Sequence, residues 1–169
     1  GAIVSTTAIL ELSPGIVNLV IAGRIGSKIA SEIGTMRVTE QIDALDVMGV
    51  YSRAYLILPK IIAGLISLPI LTTISAFLAH AGGITAGHFS GEVTYTEFIL
   101  GMREYYNPYQ LVVYVKAAAF GLIIASVSSY QGYYTIGGAL DVGASATRSV
   151  VFSCLTITLA DYLVAQLML

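Results

Sequence analysis

Residues 54–80 read AYLILPKIIAGLISLPILTTISAFLAH, and this stretch decides what kind of protein the chain is. Lys60 is its one lysine or arginine, and the stretch holds no carboxylate. Its apolar residues surround the whole helix instead of forming one stripe, which is typical of a helix embedded in lipid. Because about 20 mostly apolar residues cover a bilayer core, the stretch is long enough to cross a membrane.

The composition of the whole chain agrees with this interpretation. Of its 169 residues, 56% are hydrophobic and 11% are charged, whereas a soluble domain carries about 25% charged residues. The formal net charge of -2 provides no basic field for nucleic acid, so we expect no nucleic-acid partner. Cys154 is the single cysteine and the sequence has no cluster with metal-ligand spacing, so we expect no intramolecular disulfide and no metal site.

Three other windows have a similar length and apolarity. They are residues 3–31, 109–130 and 147–169. We therefore predict an all-α fold, a polytopic transmembrane helix bundle with four spans in this chain. The first window is the least regular, because it also contains Glu11, Pro14, Arg24 and Lys28.

The positions of the basic residues predict the orientation of the spans, because lysine and arginine are enriched in cytoplasmic connections. Most of them flank the connection between the first two windows: Arg24, Lys28, Arg37, Arg53 and Lys60. We expect this connection to be cytoplasmic and the loop of residues 81–108 to face outward. Four spans would leave both chain ends outside. Since the chain also begins with Gly1 rather than methionine, we expect a fragment that lacks a leading span.

Residues 35–49 read TMRVTEQIDALDVMG and form a polar segment in the first connection. Four apolar residues fall at helical spacing, namely Val38, Ile42, Leu45 and Met48. This pattern predicts a short amphipathic helix between breaks at Gly34 and Gly49. The helix could be solvated, lie on lipid headgroups or bind a protein. Its mostly acidic polar face favours a protein partner with a basic groove, because anionic lipid would repel it.

A second helix outside the spans is predicted in the outward loop. Thr94 and Glu97 have the spacing of a capping box, and Asn107-Pro108 is a stop signal. The tyrosines of this region fit an aromatic belt at a headgroup boundary: Tyr95, Tyr105, Tyr106 and Tyr109. We therefore predict an outer interfacial helix, with a gate over a substrate path as the alternative.

Small residues recur every four positions in two windows: Ala22, Gly26 and Ala30 in the first, and Ala117, Gly121, Ala125 and Ser129 in the third. Such ladders let helix backbones approach closely in lipid. They predict tight helix packing and indicate no particular function.

Ionisable side chains inside spans usually pair, line a cavity or extend to the headgroups. Lys116 and Asp161 lie at similar distances from the outer ends of their windows, so a rise of about 1.5 Å per residue puts them at similar depth. We predict that they form an intramembrane ion pair. Glu11 has no obvious partner in the sequence, so both a cavity-lining role and a pair with an unseen basic residue are open.

The stretch ELSPGIVNLVIAGRIGSKIASEIGTMRVTEQIDALDVMGV, residues 11–50, resembles the signature region of the MlaE permease family. These proteins are membrane subunits of bacterial ABC systems that move phospholipids between the inner and outer membranes. Within it, the run AGRIGSKIASEIGTMRVTEQIDAL is long and specific. Further matches follow in order: LPKIIAGLISLPIL at 58–71, QGYYTIGGALDVGASATRSVV at 131–151 and LADYLVAQLM at 159–168.

The resemblance implies a single ABC-transporter permease domain over residues 1–169, from a family fold of five spans in the bacterial inner membrane. Its transport activity would maintain outer-membrane lipid asymmetry. The implied partners are a second copy of the chain, a cytoplasmic ATPase subunit, a periplasmic MCE-domain protein and phospholipids. ATP and Mg would be bound by the ATPase, so the chain itself would be no enzyme and would hold no cofactor.

The resemblance also implies roles for particular residues. Residues 35–49 match the coupling helix of the family, so five residues are expected to contact the ATPase: Arg37, Glu40, Gln41, Asp43 and Asp46. Glu11 matches the glutamate of the family's ELGP motif, which lies close to the lipid cavity at the dimer interface.

The chain departs from the family in two respects. Family permeases have an N-terminal interfacial helix and a first span ahead of the position of Gly1, and these elements help to form the dimer interface and the cavity. Leu10 stands where some members carry an arginine, so an ionic partner for Glu11 would be lost.

Two other functional classes match the sequence less well. An ion-gradient-driven secondary transporter or channel needs a chain of membrane carboxylates or a broken-helix ion site, for which Glu11 and Asp161 give little support. An intramembrane enzyme needs a recognisable catalytic arrangement, and His80 and His88 lack metal-ligand spacing. The sequence also contains no GxxxxGK[ST] loop for nucleotide phosphates.

Overall fold

The computed structural model describes residues 7, 11–91, 94–104 and 111–168. All regular elements in these ranges are helical. In chain order they are α1 (Ser13–Ile21), a π-helical segment (Ala22–Gly26), α2 (Ser27–Val38), α3 (Gln41–Val47), α4 (Ser52–Ser90), α5 (Tyr95–Glu104), α6 (Val112–Tyr133) and α7 (Ala139–Met168).

Three helices in the described ranges are long and apolar enough to cross a membrane: Ser52–Phe89, Val112–Tyr133 and Ala139–Leu167. They correspond to the second, third and fourth predicted windows. The first window, residues 3–31, is not among them, and its described part is helical but divided by the π-helical segment. The all-helical architecture is therefore confirmed for the described residues, and three of their helices have the length and apolarity of membrane spans. The fourth predicted span lies partly outside the described residues and stays a prediction.

Two helices extend beyond their predicted windows. Helix α4 continues past His80 to Ser90 and ends where Gly91 adopts a φ of 72°. Helix α7 begins at Ala139 rather than near residue 147. An apolar window measures the part of a helix that suits lipid, and polar turns can continue the same helix outside that part. The windows therefore located both helices, and the helices continue beyond the predicted spans.

The connection between α6 and α7 is a short turn of residues 134–138 instead of the predicted loop of residues 131–146. Gly137 has a φ of 121°, which favours glycine. Next to it, the Gly138 amide donates a hydrogen bond of 2.9 Å to the Asp141 carboxylate. Glycine and a capping carboxylate thus turn the chain within a few residues.

The polar segment of residues 35–49 is not one helix. Its first residues complete α2, a turn follows at Thr39 and Glu40, and the remainder forms α3. The predicted break at Gly34 was wrong, because Gly34 is buried within α2, where an added Cβ would lie 3.2 Å from the Thr135 hydroxyl. The chain instead breaks at Glu40, whose φ is 60°. The predicted break at Gly49 is confirmed by its φ of 81°.

Helix α6 lies at the centre of the bundle and packs against α1, the π-helical segment, α2, α4 and α7. The predicted ladders face these contacts, and their residues are buried. The closest approach is between α6 and α4: a Cβ added at Gly64 would lie 2.8 Å from the Gly121 carbonyl oxygen. Glycine is thus required on both sides of this crossing, which sets the distance between the two helices.

Helix α5 carries the predicted helix start. The Thr94 amide donates to the Glu97 carboxylate at 3.0 Å, which is one half of the predicted capping box. Phe98 is buried and fixes one face of the helix. The predicted stop at Asn107-Pro108 and the tyrosines at 105, 106 and 109 lie outside the described residues.

Replacing Gly121 with alanine tests the crossing of α4 and α6. The new Cβ would meet the Gly64 backbone, so we expect the free energy of unfolding to fall by about 1–3 kcal/mol, as for other overpacked sites. The measurement is the thermal unfolding midpoint of the protein in detergent. Gly82→Ala in α4 is the control, since an added Cβ has nothing within 4 Å there. Equal midpoints for the two variants would contradict the close approach.

Candidate functional site

A buried ammonium group joins two carboxylates inside the bundle. The side chain of Lys116 on α6 is 3% exposed, and its Nζ lies 2.5 Å from Asp161 Oδ1 on α7. This distance fulfils the predicted contact between the two residues. The same Nζ lies 3.4 Å from both carboxylate oxygens of Glu11. We call Glu11, Lys116 and Asp161 the charge cluster.

The partner of Glu11 was missed by sequence reasoning. The sequence places Glu11 in the first apolar window, but it does not give the direction in which the side chain points. The structure shows that the basic partner is Lys116, which the sequence had assigned to Asp161 alone. Glu11 is half-exposed whereas Lys116 is buried. Glu11 is therefore the member of the cluster that a ligand outside the bundle can reach most easily.

The backbone around Glu11 departs from regular α-helix. Glu11 and Leu12 lie in a π-helical turn, and α1 then begins with Pro14 in its first turn, where the missing N–H is not needed. Ser13 Oγ donates a hydrogen bond of 2.8 Å to the Thr72 carbonyl of α4. This bond ties the start of α1 to α4 and so fixes the position from which Glu11 reaches Lys116.

Buried serines hold the second π-helical region, Ala22–Gly26. Ser149 Oγ on α7 lies 2.8 Å from Ser128 Oγ on α6 and donates a 3.3 Å hydrogen bond to the Gly26 carbonyl. An added Cβ at Gly26 would lie 2.9 Å from Ser128 Oγ. π-Helical turns occur frequently at functional sites. This one lies on the path between the charge cluster and the polar segment.

The five residues expected to contact an ATPase fall into two groups. Arg37 and Asp43 pair with each other at 2.7 Å, and Asp46 Oδ1 accepts a 3.4 Å hydrogen bond from the Ser52 amide. These three side chains therefore help to shape the segment itself. Glu40 in the turn before α3 and Gln41 at the first position of α3 are both exposed, so a partner can contact them directly.

Helix α3 is attached to the bundle by an apolar contact that the sequence did not reveal. Ile42 is fully buried and clusters with Ile33 of α2 and Tyr133 of α6. The Tyr133 hydroxyl lies 3.2 Å from that of Ser52. Sequence reasoning missed Tyr133 because it assigned residues 131–146 to a connection. The contact among Ile33, Ile42 and Tyr133 is called the α3 anchor below.

Two arginines, one before α3 in the chain and one after it, lie over the aromatic ring of the α3 anchor. The Arg37 guanidinium carbon lies 5.7 Å from the Tyr133 ring centroid, and that of Arg53 lies 5.4 Å from it. Both distances allow cation–π attraction. The ends of α2, α4 and α6 therefore meet at one aromatic ring beneath α3.

Replacing Lys116 with methionine tests the charge cluster. The change leaves the Asp161 carboxylate without its cation, and loss of one partner of a buried pair costs about 3–5 kcal/mol. We expect a large fall in the thermal unfolding midpoint in detergent, and a partial recovery in Lys116→Met/Asp161→Leu, where no isolated charge remains in the pair. Lys116→Arg is the control that keeps the charge. Strictly additive effects of the two substitutions would contradict a direct interaction.

The comparisons with known proteins agree on one family. The sequence profile described as Permease MlaE matches residues 1–167. A probable ABC transporter permease protein of Rickettsia bellii is 40% identical over 158 residues, which are 93% of this chain and 61% of that protein. A probable ABC transporter permease protein of Synechocystis is 38% identical over 169 residues, with 99% and 64% covered.

A plant protein is also similar. The Arabidopsis thaliana protein trigalactosyldiacylglycerol 1, chloroplastic, is 35% identical over 167 residues, which are 98% of this chain and 48% of that protein. The chain thus spans about three fifths of the length of its bacterial relatives and about half of the plant protein. Because the family profile covers nearly all of this multi-pass helical chain, the chain belongs to the MlaE permease family of ABC transporter permeases.

Proposed function

We propose that this chain is the permease subunit of an ABC transporter that moves phospholipids between the inner and outer membranes and so maintains outer-membrane lipid asymmetry. In this proposal residues 1–169 are one permease domain of a five-span fold in the bacterial inner membrane. Two copies of the full protein form the transporter core, a periplasmic MCE-domain protein lies outside, and a cytoplasmic ATPase binds ATP and Mg.

The observation that carries the proposal is the attachment of α3. One side of this short helix is anchored through Ile42, which is 0% exposed. The two residues that precede Ile42 in the chain, Glu40 and Gln41, face solvent. A solvated loop helix would not need such an anchor. A helix that receives force from a partner does need it, because a loose contact would absorb the movement. This arrangement supports the proposed role of residues 35–49 as the coupling segment.

The charge cluster and the plant relative support a lipid as the transported molecule. Glu11 presents a half-exposed carboxylate at the edge of the charge cluster, which can accept a hydrogen bond from the ammonium of a phospholipid headgroup. The name of the Arabidopsis relative includes that of a glycerolipid, trigalactosyldiacylglycerol. An ABC permease with a lipid cargo accounts for both observations together.

A secondary transporter driven by an ion gradient is the alternative. The two carboxylates Glu11 and Asp161 are the described membrane groups that could bind a proton or a sodium ion. Lys116 lies between them and already supplies a cation, which disfavours a vacant cation site. Transport driven by a proton or sodium gradient without any ATPase would favour this alternative over our proposal.

Charge reversal at Glu40 tests the contact with the ATPase. Co-purification of the full-length protein with the products of its neighbouring genes should recover an ATPase. We expect Glu40→Lys to weaken that association roughly tenfold, the effect of one unfavourable charge at an interface. The control is Arg103→Glu, a charge reversal of equal size at an exposed residue of α5, beyond the far end of α4. Unchanged association in Glu40→Lys and Gln41→Lys would contradict the proposed coupling surface.

Truncation of Ile42 tests whether the α3 anchor transmits a movement of the ATPase to the helix bundle. Ile42→Ala removes a fully buried side chain, at a cost of about 2 kcal/mol or more, while the exposed surface of α3 is unchanged. We expect the ATPase to remain bound and the amount of lipid moved per ATP hydrolysed to fall. Val115→Ala is the control, because Val115 is an exposed apolar residue of α6. An unchanged ratio of transport to hydrolysis in Ile42→Ala would contradict the transmitting role.

A further inference from the structure

An apolar groove lies between α4, α6 and the continuous helical segment of α1 and α2, and its lining includes no member of the charge cluster. Its wall is formed by Ile21, Ile25 and Ile29, and its floor by the crossing of Gly64 and Gly121. Lys60 stands at one end and Leu68 at the other. At about 1.5 Å per residue the groove extends roughly 12 Å along α4.

The charged groups lie at one end of the groove. Lys60 Nζ lies 2.9 Å from Glu32 Oε2, and both side chains are partly exposed. The end of the bundle with Lys60 is the one that carries most of the basic residues. The remaining lining is almost entirely apolar, with Ser67 as its other polar side chain. The groove is therefore charged at the end with Lys60 and becomes apolar toward Leu68 in the middle of α4.

The size of the groove argues against a helix as its occupant. Its volume is about 220 Å³, and about 580 Å³ when the open space at its mouth is included. An α-helix is at least 10 Å in diameter, so it could lie over the groove and insert side chains but could not lie within it. A hydrocarbon chain is thin enough to lie within the groove along its length. The groove is suited to an acyl chain whose headgroup remains near Lys60.

The ion pair at the mouth indicates which headgroup is suitable. A partly exposed pair contributes little stability by itself, so exchanging its partners costs little. A zwitterionic headgroup can accept a hydrogen bond from Lys60 through its phosphate and offer its ammonium to Glu32. An anionic headgroup has no cationic group for Glu32, and its net negative charge is repelled by that carboxylate. Charge complementarity thus favours the zwitterionic lipid.

We infer that this groove is a binding site for a zwitterionic glycerophospholipid from the leaflet at the basic end of the bundle. One acyl chain lies between the isoleucine wall and α4, the phosphate binds Lys60 and the headgroup ammonium binds Glu32. The site is separate from the charge cluster, and its occupancy does not depend on the proposed transport. A bound lipid here would fill the space above the crossing of Gly64 and Gly121.

The test uses the full-length protein in vesicles with equal amounts of phosphatidylethanolamine and phosphatidylglycerol. The protein is extracted in mild detergent, and the retained lipid is measured by mass spectrometry. We expect phosphatidylethanolamine to be enriched over phosphatidylglycerol in the wild type and this enrichment to be lost in Ala63→Phe, which fills the groove. Ser67→Phe is a second variant with the same aim. Ala119→Phe is the control, since Ala119 is an exposed alanine of α6 outside the groove.

The headgroup contacts are tested by two neutral substitutions. Glu32→Gln should lower the preference for phosphatidylethanolamine over phosphatidylglycerol roughly tenfold, the effect of one lost charge-assisted hydrogen bond. Lys60→Gln should lower retention of both lipids. Retained lipid in the 1:1 ratio of the vesicles, or unchanged retention in both Ala63→Phe and Ser67→Phe, would overturn the inference. A changed oligomeric state in Ala63→Phe with unchanged lipid would overturn it in favour of a second copy of the chain.

Discussion

The buried ammonium of Lys116 is the constraint on which the arrangement of the helices depends. A charge inside a membrane span is costly unless it is paired, and Lys116 is paired with carboxylates from two other parts of the chain. Its contacts with Glu11 and Asp161 therefore fix the relative depth of α6, α7 and the segment before α1. Because the carboxylate of Glu11 is half-exposed, the same pairing also leaves a polar group accessible from outside the bundle.

Small residues determine how closely the helices approach, which charge pairing alone cannot do. Hydrophobic burial gives little drive for helix association in lipid, so close van der Waals packing has to supply it. Gly64 and Gly121 allow two backbones to touch, and Gly132 does the same against the carbonyl of Ala30. Where hydroxyl groups are buried, as with Ser128 and Ser149, hydrogen bonds add to this packing. Charges thus set depth and small residues set distance.

The sequence predicted the parts of the fold that depend on polarity and helical rise. Apolar windows identified three spanning helices, and equal depth brought Lys116 and Asp161 together. The contact of Glu11 with Lys116 depends on helix rotation, which a window that is apolar all round does not reveal. Likewise, Gly34 was assigned to a break, although glycine there serves close packing and the chain turns at Glu40. The partner of Glu11 and the position of the chain break both depend on tertiary contacts, which a local sequence pattern does not contain.

The continuity of the first helical segment gives the proposed coupling a physical route. From Glu11 to Val38 the chain is helical without interruption, so the charge cluster and the turn at Glu40 lie at opposite ends of one element. A displacement of α3 reaches this element along the chain through Glu40 and across the packing of Ile42 with Ile33. Coupling between two sites requires an element that can adopt two arrangements. The π-helical region Ala22–Gly26 is the part of the route that departs from α-helix, and the bond from Ser149 to the Gly26 carbonyl joins it to α7, the helix that carries Asp161. A change in that region would therefore alter both carboxylate positions around Lys116 together.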